Sequence, residues 1–189
     1  MPSLSFNWIQ NNINAKDINI NYPTFVESGT HVGNTIIPLD NFFQKLHTIE
    51  IKKEFYESTK QKYKGNKIQF HLGDASIILK DICKIITSPV IFFLDGHWSA
   101  GNTGRGDKDC PLYEELSCIM TYCNHKCIII VDDCRLFGKG PSYNNEVCNW
   151  EDINATNILS LVDKRLNNHY YASSELYEKD RLILHLDSI

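Results

Sequence analysis

Six acidic side chains stand at or just beyond the ends of short apolar runs, and this placement is the first sign of chemistry in the chain. Glu27 closes residues 24–26, Glu50 closes 46–49, and Asp74 follows 68–72 after one glycine. Asp95 closes the run 90–94, and Asp132 with Asp133 closes 126–131. Carboxylates accept hydrogen bonds from ligand hydroxyl or ammonium groups, ligate hard cations, or take up protons. His97 lies two residues past Asp95, so an extended segment points both the same way. Its ordinary pKa near 6.5 suits a general base at neutral pH. The stretch Glu27-Ser28-Gly29-Thr30-His31-Val32-Gly33 lets backbone approach a ligand closely, because glycine has no Cβ. Each feature also has a plainer reading. Two glycines make turns, Asp74 can cap a helix, and Glu50 can be an exposed strand end. Asp95 and Asp132 can cap backbone turns, and His97 can be a structural hydrogen bonder.

These residues need elements that bring them together. Apolar runs and turn residues predict strands at 24–27, 46–51, 68–72, 90–94 and 126–131. A final antiparallel pair is expected at 169–173 and 181–186. Helices are expected from Gly33 to Lys45, with Pro38 disturbing the start, and at 54–63, 75–86, 114–123 and 150–165. This alternation predicts an α/β doubly wound, mostly parallel sheet of about seven strands, with helices on both faces and a C-terminal antiparallel hairpin. Residues 1–189 read as one domain, with 1–22 an N-terminal extension. Ligands of such sheets bind beyond the carboxyl ends of the strands, so the acidic residues should share one rim.

Composition narrows the function. Hydrophobic residues make up 42% and charged residues 22%, as in globular proteins and unlike disordered ones. A net charge of −4 argues against a nucleic-acid-coating surface. The apolar runs are too short to span a bilayer, and residues 1–7 lack a secretory pattern. Seven cysteines without framework spacing read as reduced thiols of a cytoplasmic protein. Cys118, Cys123, His125 and Cys127 crowd together, but buried thiols beside a strand explain them better than zinc. A homo-oligomer stays open, since a lid supplied by a neighbouring subunit leaves no local trace.

The rim divides into a cofactor side and an acceptor side. Glu27 and His31 occupy places where the dinucleotide fingerprint needs glycine, and a carboxylate there would repel a pyrophosphate. Glu50 ends the second strand, where an acidic side chain can accept both ribose hydroxyls. The series Phe25-Val26-Glu27-Ser28-Gly29-Thr30, Gly33, His47-Thr48-Ile49-Glu50 and Gly73-Asp74-Ala75 resembles the cofactor motifs of class I S-adenosylmethionine-dependent methyltransferases, across residues 24–133. The resemblance implies a Rossmann-like fold with Glu27 near the methionine amino group. Ser28, Gly29, Thr30, Gly33 and Thr35 would line the cofactor, Glu50 would hold the ribose, Asp74 and Ala75 would border adenine, and Asp95 would stand beside the donor.

On the acceptor side, converging carboxylates repel one another unless protonated or bridged by a cation, for which Mg2+ is the usual choice. Asp95-Gly96-His97 and Asp132-Asp133 resemble the metal-dependent sugar O-methyltransferases of the macrocin and novobiocin type. That resemblance implies Asp95, Asp132 and Asp133 as ligands of a divalent metal, with His97 and Asp95 catalytic. His97 departs from the pattern, standing where that family has an aspartate. The implied activity is methyl transfer to a hydroxyl, of a sugar, glycan or other small molecule. The alternatives are a metal-independent small-molecule O-methyltransferase and a non-catalytic S-adenosylmethionine-binding module. Residues 99–109 would cover the acceptor, with Arg105, Lys108 and Trp98 offered for hydrogen bonds or stacking, or else solvated.

Overall fold

The computed structural model describes residues 3–143 and 146–189. Its elements are α1 (Phe6–Asn12), α2 (Ile18–Asn21), β1 (Thr24–Ser28), α3 (Ile36–Leu39), β2 (Lys45–Glu50), α4 (Lys53–Lys62), β3 (Ile68–Leu72), α5 (Ala75–Ile85) and β4 (Val90–Leu94). After a long loop come α6 (Leu112–Tyr122), β5 (Cys127–Val131), a short ribbon of β6 (Ser142–Tyr143) and β7 (Glu146–Val147), α7 (Ala155–Val162), β8 (Leu166–Ala172) and β9 (Arg181–Leu186).

The main sheet has the order β3-β2-β1-β4-β5-β9-β8. β1 to β5 run parallel, and β9 is antiparallel to both β5 and β8. The expected seven-stranded, mostly parallel sheet with its C-terminal hairpin is present. The chain winds outward through β2 and β3, then returns to β4 on the other side of β1. Connections therefore diverge between β1 and β4 and leave a crevice at their carboxyl ends.

Burial follows the pleat. Val90, Phe92 and Leu94 of β4 face Leu79, Ile82, Leu116, Ile119 and Ile158 of α5, α6 and α7. Ile91 and Phe93 face the opposite cluster, with Phe6, Ile9, Ile36 and Leu39 of α1 and α3. A strand covered on both sides is apolar at every position, hence the unbroken runs in β4 and β5.

Three expectations change in extent. The helix predicted from Gly33 shrinks to α3, because the Gln44 and Lys45 N–H groups bond to Pro23 O and commit the chain to β2. Pro38 sits in its first turn, where the missing N–H costs no helical bond. The helix predicted from Trp150 begins at Ala155, capped by Asn154, whose side chain accepts from Asn157 N at 2.9 Å. A turn closed by Ile153 N and Trp150 O precedes it and holds the indole inside. β8 starts earlier than expected; as an edge strand it is largely exposed and shows little apolar alternation.

Candidate active site

The cleft beyond β1 and β4 has two lobes. Glu50, Asp74, Ala75 and Gly96 line one, and Glu27, Thr30, Asn34 and Thr35 line the other. Gly29, His31 and Asp95 border both. Of the predicted rim, Glu27, Glu50, Asp74 and Asp95 border this cleft, with Asp95 at the junction, while Asp132 and Asp133 line neither lobe.

β1 delivers Glu27 to the second lobe at 2% exposure. Its Oε2 accepts from Thr48 Oγ1 at 2.8 Å. Burial pushes this carboxyl up to about 8, against hydrogen bonds from Thr48 and Thr35. Thr35 also accepts from Leu4 N at 3.1 Å and so ties the N-terminal segment to the lobe. Gly29 has φ +87°, and a Cβ there would lie 2.3 Å from Asp95 O. Only glycine lets β1 and β4 loops meet this closely. Gly33 lies away from the lobes against Thr59 and Ile37. Ser28 is buried and turned beneath Gly96.

Glu50 accepts from two backbone groups, His31 N at 2.7 Å and Lys52 N at 2.8 Å. Each oxygen retains a lone-pair direction for a ligand hydroxyl. Asp74 serves two ends, as its residue type allows. Its Oδ1 caps α5 through Ser76 N at 2.8 Å, and its Oδ2 faces the loop opposite.

The acid cluster lies at the β4 and β5 ends. Asp132 is held by Arg181, with Nε 2.9 Å from Oδ1. That arginine is wholly buried, its guanidinium 4.5 Å from the Trp8 ring. Asp133 sits in the left-handed region at φ 58° and is bonded by His97 Nε2 at 2.8 Å and by Arg135. Burial alone would push the Asp133 carboxyl up, but His97 and Arg135 bring it down to about 2. Arg135 also grips Asp180 Oδ1 at 2.8 Å. Asp95 is different. Its Oδ1 is buried with no hydrogen-bond partner, 3.7 Å from His97 Nε2. Burial, then Asp132, Asp133 and Glu27, hold its carboxyl well above the ordinary range.

The expected metal set of Asp95, Asp132 and Asp133 does not gather as one close group of three. Among the described residues, possible ligands gather as Asp95, His97 and Asp133, and as Asp132, Asp133 and Asp180. Each group contains carboxylates already neutralised by Arg135 or Arg181. Arg181 and Arg135 offset Asp132 and Asp133, whereas Asp95 has no arginine partner and is still raised by its acidic neighbours. Arg181 was the residue sequence reasoning missed. Its signal was weak: one arginine opening a distant apolar strand. The cysteine and histidine group at 118–127 forms no such cluster, and all seven cysteines are free thiols.

Of the side chains expected to meet an acceptor, Trp98 is buried, while Arg105 and Lys108 are ion-paired and line the polar cavity beside the loop. Trp98 is 7% exposed under the Arg105 guanidinium at 3.9 Å, and Arg105 is paired with Asp109 at 2.7 Å. Lys108 is paired with Glu114. The loop straps across the first lobe: Lys52 Nζ donates to Asn102 O at 2.7 Å. A Cβ on Gly106 would lie 2.7 Å from Asp74 Oδ2. Beside the strap opens a polar cavity of about 540 Å3, lined by Asp107, Tyr113, Glu114, Asn149 and Asp152 among others.

Strand order and cleft position define the fold of the S-adenosylmethionine-dependent methyltransferases. No protein-family model matches the chain, and no curated protein matches it in sequence. Solved structures do match in fold. A Listeria monocytogenes protein regarded as an S-adenosylmethionine-dependent methyltransferase aligns with TM-score 0.59 at 12% identity, over 96% of this chain and 97% of that one. Human methyltransferase-like protein 13, in complex with S-adenosylhomocysteine, aligns with TM-score 0.57 at 12% identity, over 89% and 72%. The N-methyltransferase NodS of Bradyrhizobium japonicum aligns with TM-score 0.54 at 11% identity, over 91% and 89%. Among the described residues, no helix is long and apolar enough to cross a membrane.

Proposed function

We propose that the protein transfers a methyl group from S-adenosylmethionine to a hydroxyl, with Asp95 as proton acceptor. The observation that carries this reading is the free Asp95 Oδ1 at the junction of the two lobes. Asp95 and Glu27 are buried carboxyls whose ionisation is disfavoured until a cation arrives. S-adenosylmethionine carries two such charges, an ammonium group and a sulfonium whose methyl is electrophilic. Glu27 and Thr35 would hold the ammonium end, Glu50 the ribose hydroxyls, and Asp74 with Ala75 the adenine. Asp95 would stand ionised beside the positive centre, and its proton affinity would rise again once that charge is lost on transfer. The acceptor O–H bond then yields its proton to Asp95 Oδ1, while His97, held by Asp133, steadies the charge. Asp132 and Asp133 act here as arginine-paired supports. The polar cavity beside the strap suits a sugar or another small polar acceptor.

The test begins with the small molecules that co-purify with the protein, read by mass spectrometry. S-adenosylhomocysteine is the expected product form. Incubation with labelled S-adenosylmethionine and pools of glycosides, nucleotide-sugars and phenols should give an O-methylated product, and Asp95→Asn should abolish it while still binding donor. Binding of NAD but not of S-adenosylmethionine overturns the reading. Donor binding with no product from any pool favours a non-catalytic binding module.

A further inference from the structure

Glu27 and Thr48 are register partners in the parallel ladder of β1 and β2, so both side chains leave the sheet on the same face. The loop after β1 then folds back: the N–H groups of Gly29 and Thr30 both bond to Ile49 O, at 2.9 and 3.2 Å. This fold brings Thr30 over Thr48, with the two Oγ1 atoms 2.5 Å apart. Thr30, Thr48 and Glu27 thus form a continuous chain of hydrogen bonds, and its second bond is 2.8 Å long. None of the three residues is more than 4% exposed. Glu27 and Thr30 border the second lobe, whereas Thr48 lies beneath them and lines neither lobe.

The chain has a fixed direction once Glu27 is ionised. A carboxylate only accepts, and a hydroxyl has one hydrogen to give. Thr48 gives its hydrogen to Glu27 Oε2. The bond between the threonines then needs the hydrogen of Thr30. Thr30 has none left to donate, so it presents only lone pairs to the lobe. Beside the carboxylate there is therefore a second acceptor, set by a residue that no ligand reaches. A ligand group with several N–H bonds satisfies both. A group that brings an oxygen lone pair to Thr30 finds no donor there, and reversing the chain would require a proton on Glu27.

We propose that Thr48 is a positioning residue that orients Thr30 as an acceptor beside Glu27, making the second lobe selective for a ligand ammonium with at least two N–H groups. Thr30 reads the ammonium directly, and Thr48 acts through Thr30 and Glu27. Assigning that ammonium to the amino-acid end of the methyl donor rests on the methyl-transfer reading. The direction of the chain does not.

Calorimetric titration with S-adenosylhomocysteine and with its desamino analogue, which lacks only the ammonium, reads the selectivity. Thr48→Val keeps the side-chain shape and removes both bonds. Its affinity for S-adenosylhomocysteine should fall roughly tenfold, as expected for the loss of one charge-assisted hydrogen bond. Affinity for the desamino analogue should stay at its wild-type value. Thr30→Val should act likewise, and Thr48→Ser, which restores the hydroxyl, should recover most of the loss. Equal losses for the two ligands in folded Thr48→Val would mean a general loosening of the lobe and overturn the proposal. Undiminished affinity for S-adenosylhomocysteine overturns it too. Should Thr48→Val fail to fold, Thr30→Val decides by the same comparison. A wild-type protein that binds neither ligand counts against the methyl-transfer reading alone. The chain is then read by urea unfolding of the ligand-free protein: losses in Thr30→Val, Thr48→Val and the double variant should not add, because bonded neighbours are coupled. Additive losses would remove the chain.

Discussion

Arg181 Nε donates to Asp132 Oδ1 at 2.9 Å, and neither side chain reaches solvent to more than 3%. The arginine opens β9 while the aspartate directly follows β5, so this pair locks the antiparallel hairpin to the carboxyl end of the parallel sheet. Removing one partner of a buried pair leaves the other charge uncompensated, at a cost of about 3–5 kcal/mol. Arg181→Met should lose stability on that scale in urea unfolding. The double change Arg181→Met with Asp132→Leu should recover a large part of it, because replacement by apolar groups removes both charges. A double variant no more stable than the single one would contradict this account.

The same arginines bear on metal dependence. With Asp132 held by Arg181 and Asp133 by Arg135, a divalent ion would have to compete with charges already in place. Manganese titration followed by electron paramagnetic resonance should show no saturable site, and methyl transfer should survive a chelator. A saturable site that disappears in Asp133→Asn would restore the metal.

Donor binding should release protons. Glu27 is shifted from 4.5 up to about 8 by burial, so below that pH the free protein carries it largely protonated. A ligand ammonium selects the carboxylate, so affinity should rise with pH up to about 8. Calorimetry in buffers of different ionisation enthalpy should detect the proton released, and Glu27→Gln should abolish this release. That variant should also bind donor roughly tenfold or more weakly, the worth of a lost charge-assisted hydrogen bond. The raised pKa has a converse for the ligand-free fold: Glu27 contributes stability below its ordinary value and loses it as pH rises through about 8.

Much of the rim was legible in the sequence because strands covered on both faces are unbroken apolar runs, and their ends are easy to find. Val90–Leu94 falls where the pattern puts it, and Cys127–Val131 within one residue of it. Glu50 and Asp74 were legible as strand-end acids, but their backbone bonds were not. What stayed hidden was pairing across long sequence separations. Arg181 reads as an ordinary strand residue until β9 is laid beside β5. Glu115 is buried, yet it reads as a solvated first-turn acid, because helix periodicity cannot say which of two adjacent glutamates faces in. Residues 4–22, read as an extension, contribute Leu4, Phe6, Trp8 and Ile9 to the core, since seven residues are too few for a clear helical period.

His47 and His71 predict acid sensitivity away from the cleft. His47 Nδ1 lies 3.2 Å from His71 Nε2 on β2 and β3. Burial, then His71 and Lys45, push the His47 imidazole down to about 4. A lowered folded pKa means stability is complete above the ordinary value of 6.5 and is lost as pH falls toward about 4. Between pH 7 and 5 the wild-type protein should lose on the order of 1–3 kcal/mol more than His47→Gln does, by denaturant unfolding. Parallel pH profiles for the two would remove the pair from the account.

The strap gives a prediction that separates binding from folding. Gly106 brings backbone against the Asp74 carboxylate, and a Cβ there would stand 2.7 Å from Oδ2. Asp74 is fixed on its other side by Ser76 N and Oγ, so the strap must move rather than the aspartate. Gly106→Ala should therefore lift the strap from the Glu50 and Asp74 lobe and leave the core intact. Donor affinity should fall by about tenfold, roughly the free energy of one well-made contact. The midpoint of urea unfolding in the absence of ligand should move little, since the strap adds few side chains to the core. Adenosine alone should lose affinity in proportion to the full donor, whereas methionine should not. Equal losses for both halves would mean that the strap shapes the whole cleft and does not seat the nucleoside.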